Sequence, residues 1–170
     1  VYYGGDVTIT NDGTINVSSA NDAAYGIYAT LVYGDANVSG IGDITVYADG
    51  YAEGIYVFVD GDGNAQVTSG GAIDVTSGGS YAYGVNVYSN GTGTGDLYVD
   101  TTGSIDVTAY EGGFGIHAYS TGTGIVDSFP GRMDWDTNTP KANRTDGWIV
   151  RMNQDASGEP VTVWAICVNK

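Results

Sequence analysis

The sequence predicts an all-β fold, a single-stranded β-solenoid of about four 29-residue coils closed by a C-terminal β-hairpin capping module. Three observations predict it. A unit of about 29 residues recurs, with copies opening at Gly5, Gly34, Gly63 and Gly95 and an incomplete fifth opening at Gly124. A second glycine follows eight residues on, at Gly13, Gly42, Gly71 and Gly103, and introduces Ile15-x-Val17, Ile44-x-Val46, Ile73-x-Val75 and Ile105-x-Val107. A third signature closes each copy: Tyr25-Gly26-Ile27-Tyr28, Glu53-Gly54-Ile55-Tyr56, Tyr83-Gly84-Val85-Asn86 and Phe114-Gly115-Ile116-His117.

Each copy reads as three short strands of period two, the first copy as Val7-x-Ile9, Ile15-x-Val17 and Ile27-x-Ala29. Gly, Asn, Asp and Ser fill the corners, where positive φ is required. Stacked copies place equivalent strands about 4.8 Å apart and line up small apolar residues as inward ladders. A helix is excluded by the β-branched and glycine content and by the lack of a 3.6-residue stripe. The end coils expose strand edges, which call for a cap or a partner.

Charge divides the chain. Residues 1–127 hold fifteen acids and no Lys or Arg; residues 128–170 hold five of each, within a net charge of −15. All Trp, Pro, Met and Cys also fall after Asp127. The expected organisation is a repeat domain over 1–127 and a cap or association module over 128–170. In the latter, Trp148–Asn153 and Val161–Val168 read as two strands of a hairpin, with one short strand near Met133 to Trp135. Trp148, Val150, Val163, Trp164 and Ile166 are its candidate association residues. A hairpin of that size needs something to pack on. Cys167 alternates with Val163 and Ala165 as an interior thiol.

A repeat without cations is a poor partner for nucleic acid and for an anionic membrane surface. No apolar run is long enough for a transmembrane helix, so membrane insertion is not expected. The repeated Tyr-Gly-Ile-Tyr-Ala and Gly-x-Ile-x-Val elements, and Gly71 to Val85 above all, resemble the β-solenoid passenger regions of bacterial autotransporters and related secreted adhesins. The resemblance covers about residues 4–124. It implies a right-handed solenoid, export, and display outside the cell or at its surface. The membrane barrel of such proteins is not seen here, and residues 128–170 do not look like passenger sequence.

Alternation places Tyr28, Tyr56, Asn86 and His117 on one outward ladder and Thr30, Phe58, Tyr88 and Tyr119 on the next. Aromatics on a rigid face suit sugar rings or a protein surface, or else simply stack to stabilise the sheet. Tyr28, Tyr56, Phe58, Tyr88 and Tyr119 are the candidate ligand-binding residues, whereas Tyr25, Tyr83 and Phe114 read as corner packing. Asp60, Asp62 and Asn64 have the spacing that opens a calcium loop, which makes Ca²⁺ the one cofactor considered. The bidentate Glu and the turn glycine of such a loop are missing, which favours a surface turn. Asp74 and Asp106 fall on equivalent positions of neighbouring coils, a carboxylate pair that a glycosidase could use, but no Lys or Arg accompanies them in the repeat.

The sequence therefore points to a non-catalytic extracellular structural or adhesive solenoid, a surface fibre or matrix subunit that self-associates end to end or through residues 128–170. The alternative is a carbohydrate- or receptor-binding module of a phage or bacterial adhesin spike. A polysaccharide hydrolase is the third reading.

Overall fold

The computed structural model describes residues 4–90 and 95–121 in full and, beyond them, the backbone of five short strands within 126–164. The first coil holds β1 (Val7–Thr10), β2 (Ile15–Ser19) and β3 (Ala24–Leu31); the second holds β4 (Ala36–Ile41), β5 (Ile44–Ala48) and β6 (Ala52–Val59). The third holds β7 (Ala65–Ser69), β8 (Ile73–Ser77) and β9 (Tyr81–Ser89); the fourth holds β10 (Leu97–Thr101), β11 (Ile105–Ala109) and β12 (Gly112–Ser120). Every coil gives one strand to each of three parallel sheets, ordered β1-β4-β7-β10, β2-β5-β8-β11 and β3-β6-β9-β12. The fold is thus the expected β-solenoid of about four turns, with no helix among the described residues.

The register explains why the sequence repeats. Val7 lies over Ala36, Ala65 and Leu97 in the first sheet. Ile15, Ile44, Ile73 and Ile105 form one rung of the second, and Ile27, Ile55, Val85 and Ile116 one rung of the third. The middle coils bury these rungs completely, with Ile44, Ile55 and Val85 at 0 % exposure. Burying a Val or Ile side chain contributes roughly 1.5–3 kcal/mol, so no coil is stable without its neighbours.

In the third sheet alternation breaks at one place in each coil, and glycine marks it. In the third sheet Tyr25 points out, Ile27 points in and Tyr28 points out again, so Gly26 between them also faces the interior. A Cβ on Gly26 would lie 2.8 Å from Ile44 Cγ2 and 2.5 Å from the Gly54 carbonyl oxygen. The same holds at Gly54, where it would meet Ile73 Cγ2 at 2.7 Å and the Gly84 oxygen at 2.5 Å. The second and third sheets therefore approach too closely here for any side chain. A second glycine column turns the corner before the first sheet, where Gly34 has φ of 103° and faces the Gly5 carbonyl.

Beside that corner column runs a polar one. Asp35 N–H donates to Asp6 Oδ1 (2.9 Å), Asn64 N–H to Asp35 Oδ1 (2.8 Å), and Asp96 N–H to Asn64 Oδ1 (2.8 Å). Asn64 Nδ2 also donates to Asp35 Oδ1 at 3.1 Å. Each short side chain satisfies a corner amide of the next coil that no strand partner reaches. The Asp and Asn residues after the opening glycines thus link the coils.

The C-terminal strands depart from expectation in their pairing. The incomplete fifth copy supplies β13 (Val126–Phe129), which continues the first sheet parallel to β10. A two-stranded ladder of β14 (Met133–Asp134) and β15 (Thr139–Pro140) follows, the former where a short strand was expected. β16 (Val150–Met152) and β17 (Val161–Trp164) are not paired with each other as a hairpin: β16 runs antiparallel to β13 and β17 antiparallel to β12. Each closes a different sheet at the end of the stack. The open edges of β13 and β12 offer more unpaired N–H and C=O groups than a two-stranded hairpin would satisfy on its own.

Gly54→Ala should lower unfolding free energy by about 3 kcal/mol, the upper range for overpacking, because backbone and a core isoleucine both stand in the way. Urea denaturation followed by circular dichroism reads this directly. A loss under about 0.5 kcal/mol would mean that the sheets separate freely at this point.

Candidate functional site

The outer face of the third sheet gathers most of the chemistry. Its strands hold Tyr28, Tyr56, Asn86 and His117 in one register row and Thr30, Phe58, Tyr88 and Tyr119 in another. Both rows are those read from the sequence. A third row, Tyr25, Glu53, Tyr83 and Phe114, lies beside them on the same face. Tyr25, Tyr83 and Phe114 are therefore not corner residues. The inward glycine consumes one position, so the residues on either side of the Gly-Ile pair both turn outward.

The rings stack on one another along the solenoid axis. Tyr28 and Tyr56 are 4.9 Å apart with planes 19° from parallel, and Tyr83 and Phe114 are 4.8 Å apart at 27°. Tyr88 is sandwiched between Phe58 at 5.3 Å and Tyr119 at 4.9 Å. Tyr25 meets Tyr28 edge-on at 5.2 Å. Each such pair contributes about 0.5–1.5 kcal/mol beyond burial. Strand spacing dictates this geometry, since flat side chains on adjacent strands fill the gap best when their planes lie parallel. Many of the ring faces are covered by neighbouring rings.

Beneath the rings lies a residue not singled out from the sequence. Glu53 occupies the aromatic position of its row and is only 1 % exposed. Its Oε1 accepts hydrogen bonds from Tyr51 Oη and from Asn86 Nδ2 (2.9 Å), while Oε2 has no partner. With Nδ2 committed to Glu53, Asn86 presents its oxygen to His117 Nδ1 at 2.9 Å, so the imidazole is the donor there. Tyr51, Glu53, Asn86 and His117 thus form one polar chain across three coils. Asn86 is itself buried, which places the junction of this chain out of water.

Burial governs the ionisation of the group. It pushes the Glu53 carboxyl up from 4.5 to about 6, against the opposing effect of the Tyr51 and Asn86 hydrogen bonds. Burial likewise raises Tyr25, Tyr51 and Tyr83, takes Tyr56 up to about 12, and the Glu53 charge adds to each. Burial lowers the His117 imidazole from its ordinary value. The one visible signal for Glu53 was its place in an alignment of the copies, a carboxylate where the others carry Tyr, Tyr and Phe.

The remaining candidates lie elsewhere. Asp60, Asp62 and Asn64 sit at a corner with Gly61 at φ 116°, and the Asn64 amide is engaged by Asp35 and Asp96. Among the described residues no group of three or more His, Cys, Asp or Glu side chains gathers as a metal site. Asp74 and Asp106 are neighbours in the second sheet and both exposed. Of the association residues, Val150 lies opposite Ser128, Val163 opposite Ala118, and Trp164 opposite His117. Trp148, Ile166 and Cys167 lie outside the described residues.

No family model, curated protein or solved structure matches the chain.

A carboxyl whose folded pKa is raised stabilises the native state when protonated, so its contribution is full below about pH 4.5 and is lost as pH climbs through about 6. The wild-type chain should therefore lose about 2 kcal/mol between pH 4.5 and pH 7.5 from this group alone. Glu53→Gln should flatten that part of the profile. Thermal melts of both proteins across this range measure the difference, and parallel profiles would place the ionised carboxylate in water.

Proposed function

We propose that the chain is a non-catalytic extracellular structural or adhesive β-solenoid, a rigid unit whose surface and edges serve association. The observation that carries this reading is the pairing of all twelve strands of the four coils in three continuous parallel sheets, interrupted in register only by a bulge between Val38 and Ile41 of β4. Such a stack tolerates little internal movement, and its outward groups stand at fixed spacings of about 4.8 Å. The acidic surface, with fifteen carboxylates and no cation over 1–127, suits a solvated exterior position. Self-association is favoured at the second sheet, where no described strand pairs with β11 beyond the fourth coil, whereas β13, β16 and β17 extend the other two.

Recognition of a glycan by stacking on Tyr56, Phe58, Tyr88 and Tyr119 is the less favoured reading. Sugar rings bind to aromatic faces, and both faces of Tyr88 are taken by Phe58 and Tyr119. The hydrolase reading, centred on Asp74 and Asp106, draws on nothing more than an exposed pair of neighbouring positions.

Sedimentation velocity and negative-stain electron microscopy over a wide concentration range should show particles lengthening along the solenoid axis. A monomer at all concentrations would remove the assembly part of the proposal. Tyr88→Ala should cost about 1–3 kcal/mol of stability, the sum of two ring pairs, and leave assembly intact. Unchanged stability in that variant would return the aromatic row to the role of a ligand platform.

A further inference from the structure

A groove of about 560 Å³ crosses the outer face of the first sheet. Its floor is the register row Thr8, Asn37, Gln66 and Tyr98, and one wall is the corner column that begins with Asp6 and Asp35. We infer that this groove binds a neutral, hydroxyl-rich linear carbohydrate laid along the solenoid axis. The inference deepens the adhesive reading by giving it a ligand class, and it rests on that reading only for where such a ligand would be met.

Part of the polar lining is held in orientation by the fold. One oxygen of Asp6 and one of Asp35 accept corner amides of the next coil, which fixes both carboxylates in orientation and leaves their second oxygens without a hydrogen-bond partner among the described residues. Thr8, Asn37 and Gln66 make no side-chain hydrogen bond to the described protein, and Asn37 Oδ1 is buried with nothing to accept from. Thr8 and Gln66 are exposed, whereas the Asn37 amide oxygen is withdrawn from water without a donor, and an acceptor so placed is a group in want of a partner. Half a turn of the amide exchanges its oxygen and nitrogen and presents either to the groove.

Charge and shape select the ligand. Paired carboxylate and amide groups accept from and donate to adjacent hydroxyls, and Tyr98 adds a partly exposed ring at the far end. The carboxylate wall, in a segment with no Lys or Arg, repels uronates, sulfates and phosphates. The row sets one residue per coil along the axis, Thr8, Asn37, Gln66 and Tyr98, which matches an elongated ligand better than a compact metabolite. The volume falls within the range of ligand sites.

The test is calorimetric titration of the full chain with cello-, malto-, manno- and xylo-oligosaccharides, and with oligogalacturonate as the charged counterpart. At least one neutral series should bind, and Asn37→Ala and Gln66→Ala should each weaken it by about tenfold. Because its acceptor is unpaired, Asn37→Ala should leave the melting temperature unchanged or slightly higher, which separates a binding role from a structural one. Tyr88→Ala, on the other face, should bind as the wild type does. Absence of binding to every neutral series, preference for oligogalacturonate, or loss of binding in Tyr88→Ala alone would overturn the inference. A normal assembly profile alongside any of these results would show that the structural reading survives without it.

Discussion

Everything in this molecule depends on each coil lying in register over the next. Main-chain hydrogen bonds between parallel strands impose that register, and the inward rungs of Ile, Val and Ala reward it with burial. From the same constraint come the glycine columns, since a repeated close approach at one point on the path excludes a side chain in every copy. The aromatic stacks and the Asp and Asn corner column follow as well: identical groups set one strand spacing apart interact with their own equivalents.

Much of this was legible in the sequence because the rules are local and repeated. The Ile-x-Val elements state the inward rungs directly, and the rows Tyr28 to His117 and Thr30 to Tyr119 follow by alternation from the inward Ile27. Counting failed on the other side of the glycine. Gly26, Gly54 and Gly84 turn inward beside an inward Ile or Val, a break that only the proximity of the facing sheet explains, and it moved Tyr25, Tyr83 and Phe114 from an imagined corner to the open face.

The rest was hidden for reasons of environment. Glu53 is an ordinary acid in the sequence; it becomes a buried, half-satisfied carboxylate because rings from adjoining coils close over it and Asn86 arrives from the next turn. Tyr51, which donates to it, lies outside the repeated signature. At the C-terminus the strands were foreseeable from their β-branched content, but their partners were not. Pairing is decided by which edges are open, and two sheet edges outcompeted the hairpin.

A chain of near-copies faces a hazard of mistaken identity, since the first coil could settle against the third almost as comfortably as against the second. The single acid in the aromatic row works against this. Glu53 obtains its donors from Tyr51 in its own turn and Asn86 in the next, so a stack with a skipped turn would take the Asn86 donor away and leave the buried carboxyl with Tyr51 alone.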